Sequence, residues 1–271
     1  EVTKRSLKLS LSNSREIFND SASSGSEKAS VRHRLDVDGD QLSLRLQGNL
    51  VSDPGGDSTE AYLDGSYVAG ALGNWVVGAG AVDRWWGPSS NTSLILSNNA
   101  RPVPALQFRS QGEQTFESPW LSWAGPWSFT SFVGRLESDR VIPHAYLTGM
   151  RLTVRPIKGL ELGASRAMMW GGEGRDGDLT EFFRSLTSQD ENTKGGSGNQ
   201  LGGFDLRYGF SLSDNLSSVV YAQLIGEDEA GFMPSKYLSQ FGLESTFALD
   251  SSASFLKTFV ESVNSAAGSL N

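Results

Sequence analysis

Cysteine is absent from the chain of 271 residues, and histidine occurs only twice, at His33 and His144. The lack of cysteine excludes disulfide bonds and thiolate metal sites, and it suits a protein that crosses an oxidising compartment. No run of about 18 apolar residues is present, so no transmembrane helix is predicted. The sequence does not start with the basic segment and apolar run of a signal peptide, as expected for a mature or trimmed chain.

Positive charge is also scarce. The chain has 23 lysine and arginine residues against 31 aspartate and glutamate residues, which gives a net charge of −8. No basic surplus is available to neutralise phosphates, so nucleic acid is not an expected partner. By contrast, 31 residues are glycine and 10% are aromatic. This composition favours strands and turns over helices.

The apolar residues recur with a period of two in many segments. In residues 204–212 every even position is apolar, and every odd position is small or charged. The same alternation occurs in residues 7–12, 42–48, 146–155 and 240–249. Successive side chains of a strand point to opposite faces, so each of these segments is predicted to be a strand with one apolar and one polar face.

Turn residues separate the predicted strands. Residues 38–40 and the pair Lys158 and Gly159 are short enough for tight hairpins. Longer polar loops are predicted at residues 20–28, 53–58, 171–179 and 188–199, and a helix within a loop at residues 178–186. Short connections alternating with long ones, between about 13 to 14 strands of about ten residues, are typical of an antiparallel transmembrane outer-membrane β-barrel. We expect an all-β fold with one domain over residues 1–271, although the alternation alone also allows a soluble β-sandwich.

An ordered set of motifs resembles one protein family. The motifs are residues 83–89 (DRWWGPS), 94–102 (LILSNNARP), 122–127 (SWAGPW), 134–137 (GRLE), 149–151 (GMR), 165–166 (SR), 170–175 (WGGEGR), 198–205 (GNQLGGFD) and 221–231 (YAQLIGEDEAG). In this order and spacing they are similar to the Wzi family of capsule-assembly proteins, over roughly residues 40–250. Single motifs are weak signals, whereas the ordered set is specific.

The resemblance carries several expectations. Members of the family are lectin-like outer-membrane β-barrels that hold capsular polysaccharide on the surface of Gram-negative bacteria, and they are not known as enzymes. It therefore implies capsular polysaccharide, outer-membrane lipid and lipopolysaccharide as partners, with no cofactor or metal. Full-length members also have a helical N-terminal portion and further C-terminal strands. This sequence shows neither, so we expect an incomplete barrel.

Two groups of residues in the motifs are candidates for carbohydrate binding. Aromatic rings stack on the apolar faces of sugars, and arginine forms paired hydrogen bonds with carboxylates, which suits an acidic polysaccharide. The alternative is that the tryptophans belong to an interfacial aromatic girdle or hold a folded loop in place. Similarly, the glycine-rich stretch at residues 171–174 is equally consistent with a plain tight turn. The candidates are Arg84, Trp85, Trp86, Trp170, Glu173 and Arg175.

Charged residues on the polar face are expected to line a wet lumen. An unpaired charge in a confined space is unfavourable, so these arginines should find carboxylate partners. The expected lumen charge network is Arg45, Arg135, Glu137, Arg151, Arg155, Asp205, Arg207 and Glu244. The acidic run at residues 227–229 is interpreted as a solvated loop or a partner for lumen arginines, with divalent-cation binding as the alternative.

No catalytic constellation emerges from the sequence. Neither His33 nor His144 has metal-ligand spacing to carboxylates, and no motif supports a nucleophilic serine or a catalytic carboxylate pair. We therefore predict a non-enzymatic polysaccharide-binding barrel. An outer-membrane diffusion channel, which is porin-like, is the main alternative, and a barrel lipase or glycan hydrolase is the third.

Overall fold

The computed structural model describes residues 2–11, 29–52, 61–186, 200–230, 233–249 and 254–268. These residues form fourteen β-strands and one α-helix, α1, at Leu179–Leu186. The first seven strands are β1 Val2–Leu11, β2 Ala29–Asp38, β3 Leu42–Ser52, β4 Ala61–Tyr62, β5 Tyr67–Leu72, β6 Trp75–Gly80 and β7 Ala105–Ser110. The other seven are β8 Trp127–Arg135, β9 Tyr146–Ile157, β10 Leu160–Trp170, β11 Gln200–Ser213, β12 Leu216–Ala230, β13 Met233–Ala248 and β14 Phe255–Gly268.

All strands belong to one antiparallel sheet, and their order in the sheet follows the chain. Each strand pairs with the next one, except that the two-residue β4 pairs only with β3, which also pairs with β5. The predictions of an all-β antiparallel fold and of 13 to 14 strands are confirmed. Within the described residues no ladder joins the edge strands β1 and β14. The sheet is therefore open, as expected for an incomplete barrel.

The two faces of the sheet differ as the period-two pattern predicts. Phe204, Leu206 and Tyr208 on β11 are exposed, whereas Asp205 between the first two is buried. Arg207 points to the concave side, where it donates to the carbonyl oxygen of Pro88 at 2.6 Å. A sandwich would bury the apolar face against a second sheet, so the exposed apolar face identifies the lipid-facing surface of a barrel wall.

Connections of different length lie at the two ends of the strands. The short-turn rim contains residues 39–41, 73–74, 158–159 and 214–215, together with one longer segment, residues 111–126. The long-loop rim contains residues 81–104, 136–145 and 171–178. The predicted tight turns are confirmed, since Gly39 donates to Leu42 at 2.8 Å and Gly159 has a φ of 85°. The loops predicted at residues 20–28, 53–58 and 188–199 lie outside the described residues.

Helix α1 forms where the sequence predicts a helix, in the connection between β10 and β11. The carboxylate of Asp178 accepts a hydrogen bond from the backbone N–H of Glu181 at 2.8 Å, which caps the first turn. No helix in the described part of the chain is long and apolar enough to cross a membrane. Residues 227–229, expected in a loop, instead belong to β12, because its ladder with β13 continues to the pair of Ala230 and Met233.

Candidate functional site

Residues 81–104, the lumen loop, connect the neighbouring strands β6 and β7 but cross the concave face to the opposite wall. The side chain of Gln223 on β12 donates to the carbonyl oxygen of Trp86 at 2.9 Å and accepts from the backbone N–H of Leu94 at 3.0 Å. Gln240 on β13 donates to the carbonyl oxygen of Thr92 at 3.1 Å. These amides satisfy loop backbone groups that would otherwise be unpaired inside the barrel.

Two carboxylates on β13 and β14 anchor the tip of the lumen loop. Ser89 donates to Glu261 at 2.6 Å, and Ser90 donates to Glu244 at 2.7 Å. Tyr221 and Gln240 also donate to the same oxygen of Glu261, at 2.7 and 2.9 Å. One carboxylate oxygen therefore accepts three hydrogen bonds, two from the wall and one from the loop. Bonds to a charged acceptor are the stronger class, so this point holds the loop firmly.

The first candidate group lies in the lumen loop. Trp86 is only 5% exposed and contacts the ring of Phe132 edge to face, with ring centroids 5.6 Å apart. Glycine at position 149 is required there, because a Cβ atom would lie 2.7 Å from the indole of Trp86. Trp85 donates its indole N–H to the carbonyl oxygen of Ser89 at 2.8 Å. Both rings thus take part in holding the loop in its folded form.

Arg84 joins the two ends of the lumen loop. Its Nη1 donates to the carbonyl oxygens of Val82 and Val103 at 3.1 and 3.2 Å, and its guanidinium lies 4.1 Å from the centre of the Phe132 ring. Burial lowers the pKa of Arg84 to about 10, against the opposing effect of the neighbouring Asp83 carboxylate. The side chain therefore stays protonated at neutral pH.

Trp170, from the second candidate group, lies at the end of β10. Its side chain is 8% exposed, and its ring stacks on Tyr146 with centroids 4.7 Å apart. The ring of Phe182 on α1 contacts it edge to face at 5.4 Å. Its indole N–H donates to the hydroxyl of Thr148 at 2.9 Å. Both Trp86 and Trp170 are therefore covered by protein, and as the structure stands neither ring presents a free face to a sugar.

Glu173 and Arg175 occupy a tight turn on the long-loop rim. Gly172 has a φ of 106°, and a Cβ there would lie 2.6 Å from Ile142, so only glycine fits this close approach. The backbone N–H of Glu173 donates to the carbonyl oxygen of Pro143 at 2.9 Å. Its exposed carboxylate lies 2.8 Å from Nδ1 of His144. The half-buried Arg175 follows, with its backbone N–H on the carbonyl oxygen of Gly172 at 3.2 Å.

The candidates thus form two clusters rather than one. Arg84, Trp85 and Trp86 lie together in the lumen loop, whereas Trp170, Glu173 and Arg175 belong to the long-loop rim. His144 joins the second cluster through Glu173, although nothing in the sequence connects these two residues, which are 29 positions apart. Its one local anomaly, a φ of 58°, is visible only in the structure.

Ion pairs line much of the concave face. Arg151 on β9 binds Asp205 on β11 through two hydrogen bonds of 2.5 and 2.9 Å, and it also donates to Ser165 on the strand between them at 2.6 Å. Arg45 on β3 pairs with Asp36 on β2 at 2.6 Å. These buried carboxylates each have an arginine partner, as a confined charge requires.

Two further arginines of the expected network also pair. Arg155 near the short-turn rim binds Glu161 at 2.7 Å and also pairs with Glu113. Arg207 lies 3.5 Å from Glu244 and donates at shorter range to the lumen loop. The sequence pattern did not predict that the carboxylates of Glu113, Glu161 and Glu261 take part in these contacts. A period of two shows which face of the sheet a residue lies on, but it does not show which residue it pairs with.

Arg135 and Glu137 lie outside this network. Arg135 is exposed at the end of β8, on the same face as Val133, and it makes no ion pair with any residue that the structure describes. Glu137 lies in the following loop and pairs with the exposed Arg140 at 3.0 Å. This placement differs from the expected one because Arg135, the last residue of β8, lies on the outward face of the strand, and Glu137 follows the end of the strand. Across the described ranges, no group of three or more His, Asp or Glu side chains is arranged to hold a metal ion.

One protein family matches nearly the whole chain. The family model described as capsule assembly protein Wzi matches residues 1–269. An uncharacterised 55.8 kDa protein in the cps region of Klebsiella pneumoniae is 36% identical over 213 residues, covering 76% of this chain and 41% of that protein. The chain thus spans less than half the length of this relative.

A solved structure gives the same result. Wzi from Escherichia coli, an outer-membrane protein involved in group 1 capsule assembly and a carbohydrate-binding β-barrel, is 28% identical. The match has a TM-score of 0.78 and covers 96% of this chain and 55% of that one. The family match over nearly the whole chain and the shared barrel wall lead to one conclusion. The chain belongs to the Wzi family of capsule assembly proteins, whose strands form a β-barrel in the outer membrane.

Proposed function

We propose that the protein binds capsular polysaccharide at its long-loop rim and supports capsule assembly at the cell surface without catalysing a reaction. The observation that carries this proposal is the turn that presents Glu173 and Arg175, fixed on the neighbouring loop by Pro143 and His144. In outer-membrane barrels the longer loops face the cell exterior, so this turn is on the side where capsule is held. The E. coli relative is a carbohydrate-binding barrel.

The chemistry of the turn suits an acidic polysaccharide. The guanidinium of Arg175 offers forked donors for a sugar carboxylate, and the exposed Glu173 carboxylate can accept hydrogen bonds from sugar hydroxyls. Since the turn is already fixed by protein contacts, little conformational entropy is lost on binding. Each contact is weak, but a long polymer engages many barrels on one cell, so avidity holds it.

In this proposal the other candidate residues stabilise the structure beneath the turn. Trp170 supports the strand end that leads into the turn, and Arg84, Trp85 and Trp86 maintain the lumen loop. Direct stacking of sugar on Trp86 or Trp170 stays a prediction that requires the covering residues to move, since both rings are buried.

The porin-like alternative has less support. A diffusion channel needs an open path along the lumen, whereas the lumen loop crosses the concave face and is hydrogen-bonded to β12, β13 and β14. The charged lumen residues that suggested a channel are largely engaged in ion pairs or in anchoring this loop. No described feature favours solute passage over polysaccharide binding.

The test uses the full-length protein in a capsulated strain that lacks its own copy. The unaltered protein should restore cell-bound polysaccharide, and Arg175→Ala should shift polysaccharide into the medium at an equal level of barrel in the outer membrane. The matched control is Lys158→Ala, which removes a cation from the turn at the opposite rim. This control should retain capsule normally.

The outcomes separate the function from the site. If the unaltered protein fails to increase cell-bound capsule in the deficient strain, the proposed function is wrong. If it succeeds but Arg175→Ala and Glu173→Gln retain capsule as the Lys158→Ala control does, the family function stands and the assigned turn is wrong. Binding of purified capsular polymer to the same variants in detergent provides an independent measurement.

A further inference from the structure

The segment between β7 and β8 is the one long connection among the described turns of the short-turn rim. Its residues 116–124, the aromatic foot, expose three large apolar side chains. Trp120 is 87% exposed, Trp123 is 68% exposed, and Leu121 is also exposed. Single exposed apolar residues are ordinary, but two tryptophans and a leucine within four positions form an apolar patch. Such a patch is typical of a surface that contacts a membrane or another molecule.

The aromatic foot has a defined conformation. The backbone N–H groups of Leu121 and Ser122 both donate to the carbonyl oxygen of Ser118 at 3.0 Å, and a short 3-10 helix spans Ser122–Ala124. Gly125 then packs so closely on β9 that a Cβ atom would collide with the carbonyl oxygen of Arg155. The exposed tryptophans therefore belong to a hydrogen-bonded turn that packs against the barrel wall.

The aromatic foot is continuous with the lipid-facing surface. Phe116, where it begins, stacks on Trp127 of β8 with ring centroids 5.3 Å apart. Trp127 contacts Trp75 of β6, and Trp75 stacks on the exposed Phe108 of β7 at 4.5 Å. This row of rings lies on the outward face of three adjacent strands and ends at the foot.

From this placement we propose that the aromatic foot inserts Trp120 and Trp123 into the interfacial region of the phospholipid leaflet at the short-turn rim. In outer-membrane barrels the short-turn side faces the periplasm, so this is the inner leaflet. Tryptophan favours that depth because its ring is apolar while its indole N–H can bond to headgroups and water. The function concerns lipid and is independent of polysaccharide binding at the opposite rim.

Lipid is the proposed occupant because the segment that carries the patch begins at Phe116, whose ring stacks on Trp127 in the lipid-facing row of rings. The segment also contains no lysine or arginine between residues 111 and 126, as a docking site for an acidic partner would need. A foot of this kind fixes the height and tilt of the barrel wall relative to the bilayer, as interfacial anchors do.

The test places a single label at the foot. The chain contains no cysteine, so Trp120→Cys gives one attachment point for an environment-sensitive fluorophore. Val141→Cys is the matched control, since Val141 is a fully exposed apolar residue on the long-loop rim. The labelled full-length proteins are placed in phospholipid nanodiscs, which leave both faces open, and are quenched with spin-labelled lipid or with aqueous iodide.

We expect spin-labelled lipid to quench the label at position 120 and iodide to have little effect, with the reverse at position 141. If the label at position 120 behaves like that at position 141, the proposal is wrong. If it is open to iodide in nanodiscs but protected in native outer membranes, the occupant is a protein and the lipid proposal also fails. Trp123→Cys provides the same measurement should Trp120→Cys not fold.

Discussion

The ion pair between Arg151 and Asp205 requires a glycine at the position that it crosses. It joins β9 to β11 across β10, and the position it passes over is Gly163, which pairs with Asp205 in the ladder. A Cβ atom at Gly163 would lie 2.5 Å from both carboxylate oxygens and 2.6 Å from Nη2 of Arg151. Gly163→Ala should therefore force the two charged groups apart while leaving both of them buried.

The expected loss of stability follows from the burial of the pair. The side chains of Arg151 and Asp205 are 11% and 2% exposed. Breaking a buried pair while its charges remain is destabilising by about 3–5 kcal/mol. Replacing glycine by alanine in a strand returns about 0.5–1 kcal/mol of backbone entropy. We therefore expect Gly163→Ala to lower the free energy of unfolding by about 3 kcal/mol, the difference between these two effects.

Urea unfolding of the protein in detergent, followed by tryptophan fluorescence, measures this difference. The matched control is Gly209→Ala on β11, where the added Cβ would meet only Val219 at an ordinary 3.8 Å. In a chain carrying Arg151→Ala and Asp205→Ala, the same Gly163→Ala change should lose most of its effect, because the groups it displaces are gone. Equal stability of Gly163→Ala and Gly209→Ala would refute the reasoning.

Three further changes test other parts of the structure. Glu261→Ala removes the acceptor that holds the lumen loop, so protease should cut residues 81–104 faster; an unchanged rate counts against the anchor. Trp170→Phe loses one hydrogen bond, so urea unfolding should shift by about 1 kcal/mol, and no shift would show that the bond contributes nothing. Burial raises the pKa of Glu137, but its backbone hydrogen bond and Arg140 outweigh this and hold the pKa below its usual value. Its stabilising contribution is thus present above the unfolded pKa of about 4.3 and lost as pH falls through the lowered folded value. In an NMR titration, Arg140→Gln should raise this pKa, and an unmoved pKa would contradict the cause given.

The strands were predictable because their signal is local. Alternation along residues 204–212 identifies β11 and its two faces, and Lys158 with Gly159 marks the turn between β9 and β10. The helix α1 was also predictable, since Asp178 caps it three residues before Glu181. In each case the residues that determine the conformation lie within one strand or one turn of each other.

The lumen loop was not predictable, because its determinants are far apart in sequence. Ser89 and Glu261 are 172 positions apart, yet their hydrogen bond fixes the tip of the loop. In sequence, Trp86 two residues after Arg84 suggests a sugar-stacking ring as readily as a buried one. Only the contacts of Trp86 with Phe132 on β8 and with Gln223 on β12 show that the ring is buried. Both contacts form only when the sheet is curved.

Register connects these local and distant contacts. A strand that slips by one residue turns every side chain to the opposite face, so a slip of β11 would move Asp205 and Arg207 into lipid and Phe204 into the lumen. The same slip would remove Arg207 from the carbonyl oxygen of Pro88 and Asp205 from Arg151. Inward side chains of β11 to β14 form hydrogen bonds with the lumen loop, so these bonds form only when the four strands are in register. The contacts of the lumen loop and the pairing of the strands therefore favour the same register. The same contacts also position the strand ends that carry the turn with Glu173 and Arg175.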